Sequence, residues 1–507
     1  AQGFKAMRIF VASTRCVNLC GRRAVGHYWN WAEGVRPCSG QASQVFAAAK
    51  LPDSSTKAVL PAAETLAATH RLIAAVEAAS QPPEKLFSDP RAKNLFRELG
   101  TACSELDAEQ LRGVLASFAR CQHMPAELWK QGLAEEVPRI LGDLPDMAAV
   151  HVALLMASLD LRDSSELLQE VAEQLEVRAQ VLQPTALTAA LVALSQLGPW
   201  SNPVPGAPLV EELQAHLPSL QLSQLSASAL AVATLSAGGL SEGAAAESGF
   251  WMMAPAALSA RAGEMMPRHL ADTLLALATA QRRPIALLEA LQDRLARIAV
   301  DMEPDEALTC AWALAAIGIY PTNALAALVN SIAQLEDFEL SVLQADQLHQ
   351  VAISLELDPK ASKVNAALPV HLQSSLQARI QSDVQAGSDR LCTDDAAASE
   401  IYEMLADKGA ECTLAASIAD GFYSVDLLTK LPGRASDAAC IGVVLDGVSR
   451  LDASAPCDPF LALKLRHLPL LGCPVEWLVT REWYAWDSEE RERFVDEIYG
   501  KLKDASQ

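Results

Sequence analysis

The chain has 507 residues, 51% of them hydrophobic but only 5% aromatic, and 40 Lys+Arg against 62 Asp+Glu give a net charge of −22. That composition excludes a wholly disordered or fibrous chain, and no uninterrupted apolar run approaches the ~18 residues of a membrane span. The negative sign also argues against attraction of the whole surface to nucleic acid or anionic lipid.

The charge is uneven along the chain. Before Glu33 there is no acid, while Arg8, Arg15 and Arg22 recur every seven residues and share one face of a helix. Residues 1–45 therefore read as an organellar transit peptide, because an Arg-bearing, acid-free, amphipathic start is the composition of such segments. The first fifty residues carry seven bases against one acid, +6, which leaves −28 for the rest. Residues 46–104 read as a helical cap or linker.

From 105 to 375 a small residue recurs inside an apolar helix, at Ala119, Ala157, Ser195, Ala233, Ala278, Ala315 and Ser354, with spacings of 38, 38, 38, 45, 37 and 39. The long interval holds the Gly/Ala/Ser-rich run 238–248, read as a surface loop. Pro145-Asp146, Pro184, Pro267 and Pro304-Asp305 supply helix starts, since Pro has no N–H to leave orphaned and a carboxylate suits the helix dipole. A second apolar segment follows each first one, as in ELLQEVAEQL and ALLEALQDRL. Two helices per ~38 residues predict an α-solenoid, with Ala or Ser letting neighbouring helices approach. In unit length and helix pairing the region resembles the octotricopeptide and heptatricopeptide repeat families. That resemblance implies RNA biology in an organelle.

Segment 376–399 is polar and acidic and reads as a linker. From Glu400 the order becomes α-β-β-β-α-β-α, a small α/β domain over 400–503. It carries Tyr423-Ser424-Val425-Asp426, Leu445-Asp446-Gly447, Leu463-Lys464-Leu465-Arg466-His467-Leu468 leading to Gly472, an apolar strand into Glu482-Trp483, and Glu489-Glu490-Arg491. In these elements and their order it resembles the RAP domain, named for its abundance in apicomplexan RNA-binding proteins. A RAP domain after helical repeats is also the arrangement of the FAST-kinase proteins of animal mitochondria. The fold class expected is thus mostly α, a solenoid followed by a small PD-(D/E)xK-like α/β domain.

The resemblance to that nuclease fold raises catalysis, which needs an Asp on one strand and a Glu-x-Lys on the next to hold a divalent metal and orient water. Asp426 fits the first position, but Val444 and Asp446 stand at the Glu and Lys positions. Valine ligates no metal, so the site reads as degenerate and the protein as no enzyme, with Asp426 and Asp446 bonding backbone N–H groups instead. The nine histidines form no His-x-x-x-His pair, and no metal or cofactor is expected. The eleven cysteines form no Cys-x-x-Cys pair; Cys121, Cys310 and Cys473 read as small buried hydrophobes in a reducing compartment.

RNA contact would fall to Lys464, Arg466, His467 and Arg481, with Trp483 and its aromatic neighbours Trp477, Tyr484 and Trp486 stacking on unpaired bases. In the solenoid the local cation cluster spans 261–297, including Arg282 and Arg283, with a salt-bridged helix face as its alternative. The expected function is an organellar RNA-binding factor in RNA processing, stability or mitoribosomal translation. The compartment is the mitochondrion, with the plastid as alternative. The competing function is a structural subunit or assembly factor binding mainly protein; a degenerate nuclease-like enzyme comes third.

Overall fold

The computed structural model describes residues 61–78, 82–162, 164–198, 200, 204–237, 244–333, 341–374, 395–418, 422–432, 440–446 and 459–505. The expected transit peptide, the 238–243 part of the inserted loop and most of the acidic linker lie outside these residues. No described helix is long and apolar enough to cross a membrane. The chain divides into two compact units, one containing 61–220 with 244–250, the other 221–237 with 251–505.

The first unit is all helical: α1 (Ala62–Glu77), α2 (Pro90–Ala102), α3 (Ala108–Arg120), α4 (Ala134–Asp143), α5 (Asp146–Ser158), α6 (Ser165–Glu176), α7 (Pro184–Leu197) and α8 (Ala207–Gln214), with shorter turns between. The second begins with α9 (Leu222–Ala237). After α10 (Ala244–Ala260), which starts in the first unit, it continues with α11 (Pro267–Thr279), α12 (Ile285–Ile298), α13 (Pro304–Ile317), α14 (Thr322–Ala333) and α15 (Val342–Leu357). Four of these helices begin at the residues that the Pro and acid signals marked: Asp146, Pro184, Pro267 and Pro304. Asp107 and Ser341 close reciprocal capping boxes with Gln110 and Gln344 at two other starts.

The first helix of each pair is the buried one. In α7 every residue from Ala186 to Leu197 is buried, and in α13 every residue from Ala307 to Ile317. Small residues at that density let α9 pack on α11 and α11 on α13. The stop is also repeated. The backbone turns left-handed at Gln122, Asp160, Gln281 and Gly318, each three residues after the recurring small residue. The next N–H then bonds back to a carbonyl five residues earlier: His123 to Phe118, Leu161 to Met156, Arg282 to Leu277 and Ile319 to Leu314. This is the Schellman stop, which satisfies carbonyls that the helix end leaves orphaned. Hydrogen bonds also join residues about one repeat apart, among them Arg178 to the Leu141 carbonyl, Trp312 to Gln350 and Tyr320 to Asp358.

The C-terminal part runs α16 (Asp395–Asp407), β1 (Glu411–Ile418), β2 (Tyr423–Lys430), β3 (Cys440–Asp446), α17 (Pro459–Leu470), β4 (Val475–Val479), a short helix Thr480–Ala485 and α18 (Ser488–Ala505). The sheet order is β1-β2-β3-β4, antiparallel for the first two pairings and parallel between β3 and β4, which α17 connects. Alternation along β3 splits the sheet into two faces. Ile441, Val443 and Leu445 pack with Leu478, Trp483 and residues of α16 and α18. Val444 packs the other way, with Tyr423, Val425, Leu468 and Ile353 of the repeat helix α15.

Candidate functional site

The second face is where the sheet meets the end of the helical array. Ile353 and the half-buried Leu357 of α15 belong to the same apolar cluster as Val425, Val444 and Leu468. Each such side chain taken out of water is worth roughly 1.5–3 kcal/mol, so the join is a shared core rather than a touch between finished surfaces. Trp312 of α13 packs on Phe460 of α17 with ring centroids 5.2 Å apart.

Three polar side chains inside this contact are linked in a chain. Tyr423 Oη and His467 Nδ1 are 2.7 Å apart, and His467 Nε2 lies 2.7 Å from Ser354 Oγ. A neutral imidazole has one donor and one acceptor nitrogen, so with an uncharged ring one hydroxyl donates to His467 and the other accepts from it. Beside this chain the Trp312 indole donates to Gln350 Oε1 over 2.7 Å, and Gln350 donates to the Phe460 carbonyl over 3.2 Å. Burial, helped by the nearby Arg466 cation and opposed by Asp358, holds His467 down at about 3. Burial alone takes His349, stacked on Phe422 at 3.7 Å, down to about 4. Tyr423 is pushed well up, again mainly by burial.

At the rim of the contact two arginines meet. Arg466 of α17 donates through Nη2 to the Ala315 carbonyl at the end of α13, a favourable place for a cation because that end of the dipole is negative. Its other terminal nitrogen lies over Gly318, where a Cβ would come within 2.5 Å of Arg466 Nη1 and 3.5 Å of Arg283 Nη2. Arg283 reaches the same point from the exposed turn after α11, so the two guanidiniums are near neighbours. The left-handed position that carries Gln or Asp at three other repeat ends is glycine here, which leaves room for the Arg466 guanidinium.

The expected RNA-contacting residues thus separate. Arg282 and Arg283 are on the exposed turn, Arg481 is exposed at the start of the short helix, and Lys464 is half-buried on α17, two residues from Arg466. His467 and Trp483 correct the sequence reading: both are fully buried and cannot meet a base. His467 joins sheet to repeat. Trp483 fills the opposite core, donates to Glu400 Oε2 over 2.9 Å and lies under the Arg491 guanidinium. Trp477 and Trp486 are half-buried, while Tyr484 is exposed. The solenoid's cation cluster also divides: Arg261 pairs with Glu264, Arg268 with Asp272, and Arg294 donates to the Met265 carbonyl. Asp272 is raised to about 6 because burial outweighs its arginine.

At the nuclease-like positions, Asp426 is buried and its carboxylate accepts the Leu445 N–H at 2.8 Å. The β2–β3 pairing stops at Leu427↔Val443, so this carboxylate takes over a ladder bond that the strands no longer make. Val444 is core, and Asp446 ends β3 opposite Val479. The chain Tyr423–His467–Ser354 escaped sequence reading because its members are 44 and 113 residues apart. No protein-family model matches the chain, and no curated protein matches it.

Proposed function

We propose that the protein is a non-catalytic RNA-binding factor of an organelle, the mitochondrion or alternatively the plastid. It would take single-stranded or ribosomal RNA along a narrow cationic strip at the junction of the last repeats and the C-terminal domain. The observation that carries this reading is the convergence of Arg283 and Arg466 at Gly318, with Arg282 next to Arg283 on the exposed turn. Planar guanidiniums suit phosphate oxygens, and phosphate binding needs local rather than global positive charge. The strip draws from two segments nearly two hundred residues apart, so it exists only when the C-terminal domain is seated. The RAP and repeat resemblances point the same way, and so does the basic N-terminal segment for the compartment. Nuclease chemistry is left out, because Val444 is packed in the core and the Asp426 carboxylate is spent on a backbone amide.

The reading as a structural subunit binding mainly protein has its own observation: Arg261 and Arg268 are ion-paired with Glu264 and Asp272, so their charge is balanced within the array. Anisotropy titration of labelled single-stranded RNA over a range of salt separates the two. The double substitution Arg282→Glu with Arg283→Glu is expected to weaken binding tenfold or more and to lower the salt slope by about 2. Unchanged affinity and slope, or no RNA binding by the wild type, would sink the RNA reading.

A further inference from the structure

The parallel pairing of β3 with β4 begins at Gly442↔Val475, and the Gly442 N–H bonds the Pro474 carbonyl at 2.8 Å. Two residues before these stand Cys440, at the start of β3 and on the same sheet face as Gly442, and Cys473, just ahead of β4. Both are free thiols, Cys440 Sγ donating to the carbonyl of Gly472, the residue next to Cys473, and Cys473 Sγ donating to the Pro474 carbonyl, each at 3.9 Å. Gly442 makes the arrangement possible: a Cβ there would lie 3.2 Å from Cys473 Sγ and 2.9 Å from Val425 Cγ1. Neighbouring strands run ~4.8 Å apart, inside the ~4.4–6.8 Å window of Cα separations that a disulfide spans. The two sulfurs differ in access. Cys440 is half-exposed at the strand start, while Cys473 is buried behind it.

We propose that Cys440 and Cys473 form a dithiol modification site that reacts with small disulfides of the glutathione class and closes into a cross-strand disulfide. The accessible Cys440, as thiolate, attacks one sulfur of glutathione disulfide. That bond breaks, one glutathione thiolate leaves, and a mixed disulfide forms on Cys440. Cys473 then loses its proton to water and attacks Cys440 Sγ, expelling the second glutathione thiolate. The protein gives up two electrons and two protons, and one glutathione disulfide becomes two glutathione thiols. Burial raises Cys473 to about 12, which suits the slower, resolving partner and leaves first attack to Cys440. Lys430, paired with Cys440 across β2–β3, brings an ammonium to the strand end where a glutathione carboxylate would arrive. The bond would tie β3 to β4 on the face that packs against the repeat helix α15.

The full chain, incubated in glutathione redox buffer, alkylated and digested, tests this by peptide mass mapping. Expected is one linked peptide pair, Cys440 to Cys473, lighter by two hydrogens than the two reduced peptides. In Cys473→Ala glutathione should remain on Cys440, and in Cys440→Ser Cys473 should stay unmodified. The proposal is overturned if the wild type gives no Cys440–Cys473 link while other cysteines are modified. It is equally overturned if Cys473 takes glutathione as readily in Cys440→Ser as Cys440 does in Cys473→Ala. Neither result depends on RNA binding.

Discussion

His467 carries a pH dependence whose sign and size follow from its surroundings. It is neutral in the folded chain, held at about 3 against an ordinary 6.5. In the unfolded chain it protonates through 6.5, so between these values the unfolded state binds more protons and stability falls as pH falls. The stabilisation of the neutral ring is complete above 6.5 and is lost progressively toward 3. Lowering the pH from about 7.5 to about 5 should cost about 2 kcal/mol from this residue alone, by linkage. Substitution His467→Gln keeps a donor and an acceptor for Ser354 and Tyr423 but cannot titrate. The neighbouring charges, Arg466, Asp358 and His349, are common to both proteins and cancel in the difference. Urea unfolding followed by tryptophan fluorescence, with Trp312 in the contact, gives the two stabilities. The gap between wild type and His467→Gln is expected to narrow by about 2 kcal/mol over that range. Parallel stability curves would refute the argument, because they would mean that His467 is not buried as a neutral ring.

Two further substitutions probe the same region. Gly318→Gln should cost about 2–4 kcal/mol, from the left-handed backbone and from the Arg466 cap that its side chain displaces. Gln281→Gly, at the equivalent position of the preceding repeat, should change stability by less than about 1 kcal/mol, and equal effects of the two would count against the Arg466 contact as the source of the larger cost. Asp426→Ala should cost about 1–3 kcal/mol by stranding the Leu445 amide, while Asp426→Asn keeps an acceptor and costs less, both read from denaturant midpoints.

Much of the fold was legible because it is written locally. Proline and acid at helix starts, and a small residue every ~38 positions, set where each buried helix begins and how closely it packs. The helix stops were not legible, since Gln122, Asp160 and Gln281 adopt a left-handed conformation that sequence reading assigns to glycine. The candidate site was half legible. Arg282, Arg283, Lys464 and Arg466 stood out as basic residues, but nothing local says that Arg283 and Arg466 meet. His467 and Trp483 misled for a physical reason: a ring with a polar edge serves equally well as a ligand group and as a hydrogen-bonded core residue. Only the fold decides between those uses.

The apolar cluster shared by α15 and the sheet has one more consequence. A stack of helical repeats ends in an exposed apolar face that must be covered, and a terminal unit with a polar outer side is the usual remedy. Here the cover is not another helix pair but a sheet whose far side is sealed by α16 and α18. Growth of the array by another repeat would have to displace that sheet. The sheet thereby sets the number of repeats that can stack on this side of the array.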